Sequence, residues 1–269
     1  MRDTEALARQ AEAFFSAHPG VSLMALGAGE HAEAMDLSPL GLPATYLPAE
    51  RNLELAKQYL ALNQFAFRGI GVPRWVLSDL YLMPGAIGLL RCPARMLKSE
   101  LRAHLELADE APAIGAAYYA APSMTSGLFI GVSLLSFLPG TGAGAWVKAL
   151  TLCMLRATRL RGVAQWDNPS VRVHARLGPL RLVGRVPGGH EYGERTFVYE
   201  TDLSDGACVA EAMERRLSLE PTRRIAVTDL PALSALLDRA EAGEALYLVP
   251  PGVQKGHVLV REGCTATDC

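Results

Sequence analysis

Between residues 111 and 147 the chain carries no charged side chain, and this run constrains the fold more than any other feature. It exceeds the ~20 apolar residues that a membrane-spanning helix needs. Pro112, Pro122 and Pro139 interrupt it, however, and glycines crowd its far end. Proline removes a backbone donor and clashes with the preceding turn, so one continuous helix is not expected. Two buried strands, 113–120 and 128–138, with a loop over 122–127 account for it better.

Periodicity organises the flanks. Helices are expected over 4–17, 49–63 and 94–110, and a strand pair over 75–82 and 86–91 turns at Met83-Pro84-Gly85. Residues 21–47 are broken by glycine and proline and give no clear element. After the uncharged strands, a turn over 139–144 leads into a helix over 145–160. A strand at 163–166 and a short helix at 169–177 come next, the latter opened by Asp167 or Asn168 with Pro169 near its first turn. Strands at 180–186 and 195–201 flank the loop Pro187-Gly188-Gly189-His190. Beyond Asp202 the pattern restarts with helices at 207–217 and 230–240. Strands at 224–227, 245–249 and 257–260 accompany them, so a boundary is expected near residue 205. The divisions are thus 1–44, 45–205 and a small C-terminal α/β appendage, 206–269.

Composition excludes several function classes. Half of the 269 residues are hydrophobic and 20% are charged, which supports a sizeable core and argues against disorder. A net charge of -2 does not suggest a nucleic-acid binder. The five cysteines, Cys92, Cys153, Cys208, Cys264 and Cys269, contain no C-x-x-C pair; free thiols in a reducing cytoplasm are expected, without a metal site. The first residues, Met1-Arg2-Asp3-Thr4-Glu5, lack the apolar core of a secretory signal. A cytoplasmic protein without stable membrane insertion is the expectation.

The sharpest motif is Pro139-Gly140-Thr141-Gly142-Ala143-Gly144-Ala145-Trp146, set between an apolar strand and an apolar helix. Glycines let the backbone turn with its N–H groups converging, and the helix start adds partial positive charge, so a pyrophosphate is a natural guest. A Walker A loop needs Gly-Lys-Ser/Thr after the glycines, and Gly144-Ala145-Trp146 stands there instead. Gly140-x-Gly142-x-x-Ala145 does match the dinucleotide fingerprint, with Asp167 closing the next strand as a ribose-binding acid.

The surroundings of the loop resemble the GNAT acyltransferase superfamily over roughly residues 45–203. That family's Q/R-x-x-G-x-G/A motif follows its fourth strand; here the pattern is Pro139-Gly140-Thr141-Gly142-Ala143-Gly144, with proline where Gln or Arg is usual. Asp167-Asn168-Pro169-Ser170-Val171-Arg172-Val173-His174-Ala175-Arg176-Leu177-Gly178 resembles the family's helix after the fifth strand. The fold class implied is α/β (α+β): a mixed, mostly antiparallel central sheet flanked by helices. A dinucleotide fold should continue with strand–helix–strand crossovers. Here a very short helix precedes two adjacent strands, which suits antiparallel pairing.

The resemblance implies transfer of an acyl group from acetyl-CoA, a longer acyl-CoA or acyl carrier protein to a small-molecule amine, by direct attack. The cofactor would lie along Leu135, Phe137 and Leu138 and against Gly140, Thr141, Gly142, Ala143, Gly144 and Ala145, with Asn168 beyond. Backbone amides between 134–137 and 164–166 would polarise the thioester oxygen. His174 stands where many members place the tyrosine that protonates the leaving thiolate, and its reference pKa of ~6.5 suits that task. Ser133 and Ser136 are the only polar side chains of the fourth strand, and Ser136 joins His174 as a catalytic candidate. Asp79, Asp167 and His104 are the candidates for a general base. Arg172 and Arg176, four apart, offer a phosphate contact or a solvated face.

Two alternatives stay open. One is an NAD(P)-dependent oxidoreductase built on Gly140, Gly142, Ala145 and Asp167. The other is a non-catalytic thioester-binding module. Residues 1–44 and 206–269 are left to cap the acceptor site or to form a homodimer.

Overall fold

In the computed structural model, which describes residues 1–27, 38, 41–42, 44–48, 51–67, 86–186, 193–217 and 219–263, the uncharged run is a pair of antiparallel strands followed by a buried helix. The chain is mixed α/β with mostly antiparallel pairing. It forms two compact units, one of residues Thr4–Ala157 and one of Met1–Asp3 with Thr158–Cys269.

The first unit contains α1 (Glu5–Ala17), β1 (Ser22–Gly27), β2 (Ala44–Pro48), α2 (Leu53–Phe67), β3 (Ala86–Pro93), α3 (Ser99–His104), β4 (Pro112–Pro122), β5 (Leu128–Ser136) and α4 (Ala143–Met154). Its strands pair in the order β2-β1-β3-β4-β5. Only β1 and β2 are parallel; β3, β4 and β5 are antiparallel neighbours. Leu7, Ala11 and Phe14, at helical spacing, are the buried stripe of α1, and Phe14 meets Trp146 of α4 with ring centroids 5.6 Å apart.

Helices cover both faces of β4. Neighbouring strand residues point to opposite sides: Tyr118 faces Lys148 of α4, while Tyr119 stands beside Ser133 of β5, which bonds Tyr59 of α2. All twelve residues of α4 are buried, which explains why its sequence is apolar all round apart from Lys148 and Thr151. Small residues in the strands let it approach. A Cβ on Gly88 of β3 would overlap Thr151 Oγ1 of α4. One on Gly115 of β4 would lie 2.6 Å from the Leu138 side chain and 2.9 Å from Cys92 Sγ.

The second unit contains β6 (Arg159–Gln165), α5 (Ser170–His174), β7 (Leu180–Gly184), β8 (Thr196–Asp202), α6 (Gly206–Met213), β9 (Arg223–Ala226), α7 (Leu230–Glu241), β10 (Leu246–Gln254) and β11 (His257–Glu262). Its strands run in the order β6-β8-β7-β10-β11-β9, antiparallel throughout. Trp166 stacks on Phe197 at 3.9 Å. Glu200, nearly buried on β8, is surrounded by Arg159, Arg161 and Arg181. Asp205 and Asp229 cap α6 and α7 by accepting from the amides of Ala207 and Ala232.

Residues 206–269 share a compact unit with residues 158–205, and Tyr247 and Leu248 of β10 pair with Arg181 and Leu180 of β7. Other expectations are corrected. The helix expected over 94–110 is only a 3-10 turn, Ala94–Met96, and the short α3. Leu97 is extended so that its side chain reaches the core, and the chain doubles back until Arg95 N–H reaches Asp109 O at 2.7 Å. The helix expected to run to residue 160 stops at Met154, where Arg156 takes a positive φ of 50° before β6 begins. The strand expected over 75–82 lies outside the described residues.

Because α4 touches β3 through Gly88, Gly88→Ala is expected to destabilise the protein by about 1–3 kcal/mol through overpacking. Urea unfolding checks this. Adding Thr151→Ala removes the overlapping oxygen and should recover part of the loss.

Candidate functional site

The glycine turn leaves β5 at Ser136 and enters α4 at Ala143. Gly140 and Gly142 have φ of 78° and 79°, the left-handed region that glycine occupies without strain. Gly142 is the residue before the helix and accepts from Ala145 N–H and Trp146 N–H. The Thr141 hydroxyl donates to Leu138 O at 2.8 Å and accepts from Ala143 N–H at 3.2 Å. Gly140, Thr141, Gly142 and Gly144 keep amides for which no acceptor is found among the described residues. A Cβ at Gly140 would meet nothing within 4 Å. The turn therefore combines open space, donor amides and the positive end of a buried helix, which together suit an anion.

Other expected positions divide by backbone and side chain. Leu135 and Leu138 are buried in the core, so only their backbones are offered. Phe137 N–H donates to Gly115 O at 2.8 Å. Ser136 is exposed and stands opposite Ala116 of β4. Ala143, Gly144 and Ala145 are buried within the first turn of α4.

Asn168 and His174 belong to the second unit, whereas the turn belongs to the first. Asn168 Oδ1 accepts from Ser170 N–H at 2.8 Å, fixing the entry to α5. His174 is buried rather than exposed, its ring 5.1 Å from that of Tyr199. Burial alone pushes the Tyr199 phenol pKa up. Arg172 and Arg176, candidates for phosphate contact, instead donate to Val253 O and Met213 O. Asp167, a candidate base or ribose-binding acid, pairs with Arg195 at 3.1 Å. His104 packs its ring against Phe65, 4.9 Å away. Asp79 lies outside the described residues.

Two polar groups inside the first unit escaped sequence reasoning. Tyr59 Oη and Ser133 Oγ are 2.6 Å apart; burial pushes the phenol pKa up, and hydrogen bonds from Ser133 and Asn63 oppose this. Tyr59 reads as part of an apolar stripe, so only Ser133, a polar residue in an apolar strand, signals the pair. Lys148 is the second group. It is the one charged residue within α4, is fully buried, and has Nζ 5.7 Å from the Tyr118 ring centre. Burial pulls its pKa well below the ordinary 10.5.

The chain matches none of the family models and none of the curated proteins with which it was compared. No helix among the described residues is long and apolar enough to cross a membrane.

For Lys148, the unfolded chain binds the proton more tightly than the folded protein. Stability therefore rises with pH between the lowered folded pKa and 10.5. Lys148→Met lacks this dependence. It should be more stable near neutrality by about 1–2 kcal/mol, roughly 2–8 °C in midpoint. The gap should narrow as the pH approaches 10, which thermal unfolding across pH would read.

Proposed function

We propose that this chain transfers an acyl group from a thioester carrier, acyl-CoA or acyl carrier protein, to an amine, as the GNAT acyltransferases it resembles do. The observation that carries this reading is the turn at Gly140–Gly144, where four amides have no partner among the described residues at a helix start and a Cβ at Gly140 would meet nothing within 4 Å. The residues fit a pyrophosphate: Gly140, Thr141, Gly142 and Gly144 hold it by backbone N–H donation. A bound thioester supplies an activated acyl carbonyl. The chain supplies position and electrostatics, and the acceptor amine attacks directly. The resemblance assigns proton donation toward the departing thiolate to His174. The antiparallel pairing of all six strands of the second unit supports this reading over the dinucleotide one, since a nucleotide-binding crossover needs parallel neighbours.

Thermal unfolding with acetyl-CoA, a long-chain acyl-CoA, CoA, NAD and NADP tests the proposal. CoA species at ~100 times their dissociation constant should stabilise by about 2.7 kcal/mol; a response to NAD or NADP alone would overturn it. Gly140→Asn, which tolerates the left-handed backbone and fills the open space, should keep its unligated midpoint and lose the CoA shift. His174→Ala should lower turnover of acyl-CoA with an amine panel while CoA binding is retained. Unchanged turnover would remove His174 from the mechanism.

A further inference from the structure

Outside the glycine turn, the first unit holds a cavity of about 530 Å³ between the start of α2 and the β1–β3 strands. Arg51, ahead of α2, and Arg91, on β3, both line it. Among the described residues neither has an ion pair or side-chain hydrogen bond. The one carboxylate in the lining among the described residues, Glu54, is held by Lys57 at 2.6 Å. Two guanidinium groups thus face one space without a counter-ion. Mutual repulsion disfavours that arrangement unless an anion enters, and a carboxylate can take two parallel hydrogen bonds from one guanidinium.

Other donors and the walls narrow the class of anion. Gln58 Oε1 accepts from Ile114 N–H at 3.1 Å, which leaves its amide nitrogen to donate. Asn52 spends its nitrogen on Pro48 O at 2.8 Å. Ala56 N–H bonds to Asn52 O, while no described residue accepts from the amides of Leu53, Glu54 or Leu55, the first turn of this 15-residue helix. Met24, Leu47, Leu53 and Leu55 supply apolar wall, and Leu53 is 56% exposed, a large side chain left open to a hydrophobic guest. A phosphate alone would leave that wall wet. The volume is in the range of small-molecule sites.

We propose that this cavity binds a small carboxylate bearing an apolar group, with Arg51 and Arg91 clamping the carboxylate and the leucine–methionine wall covering the apolar part. The proposal is independent of acyl transfer and of the glycine turn.

Calorimetric titration of the full chain with octanoate, octan-1-ol, octylamine and inorganic phosphate tests it. Octanoate alone is expected to bind. Arg51→Gln and Arg91→Gln should each weaken octanoate by about tenfold or more. Glu54→Gln, which removes a like charge from the wall, should tighten it. Both arginines reach solvent, so the variants are expected to fold, and far-UV circular dichroism checks this. Binding of octan-1-ol equal to octanoate, octanoate binding unchanged in both arginine variants, or phosphate binding without octanoate would each overturn the proposal. CoA titrated into the same variants reads the glycine turn separately and is expected to be unaffected.

Discussion

The close approach of α4 to β3 and β4 is the constraint on which the first unit rests. A helix buried on all twelve residues can lie against a strand pair only where the strands present little side chain, and β3 does so at Gly88, against Thr151. Close packing of this kind adds many weak dispersion contacts, and each one needs near-zero clearance. It also explains the uncharged run. A charge at the buried positions of β4 or at the start of α4 would have to be desolvated.

The same geometry sets the turn. Because α4 begins immediately under the sheet edge, the chain must reverse within a few residues after Ser136, and left-handed glycines make that reversal without strain. Thr141 then performs a capping role from outside the helix, its hydroxyl taking one first-turn amide and its proton going to Leu138 O. The remaining amides have no such local acceptor among the described residues. Every helix start leaves its first amides without intrahelical partners, and such a start with an open Gly140 beside it is suited to bind an anion.

Where a segment obeys one period, its element was legible in the sequence. The uncharged strands, α1, α7 and the hairpin β7–β8 lie close to where alternation or helical spacing puts them, and the glycine turn was plain from its composition. Elements set by long-range pairing were not. β1 and β2 are short and sit among glycines and prolines; β1 owes its strand character to pairing with β3, far along the chain, and β2 to pairing with β1. The division at residue 157 was hidden for the same reason: β10 completes the strands of the second unit only through its pairing with β7. At the site, backbone donors were legible and side chains less so. Arg172 and Arg176 look available on a helical wheel, yet both are occupied by carbonyls of distant elements. Arg51 and Arg91 carry no motif, and only the fold brings them to one cavity.

Lys148 shows how far the buried helix departs from ordinary packing. A methionine or leucine would fill the same volume without the desolvation penalty, so the lysine is not there for stability. Its amine stands over the Tyr118 ring, whose electron-rich face is one of the few groups an interior can offer a cation. Ring attraction favours the charged form, and burial favours the neutral one and holds the pKa well below 10.5. One side chain thus gives the apolar core a proton-binding group two turns or less from the glycine turn. Any change that admits water or an anion near α4 would raise that pKa back toward its ordinary value, so the charge state of Lys148 is coupled to the hydration of this helix.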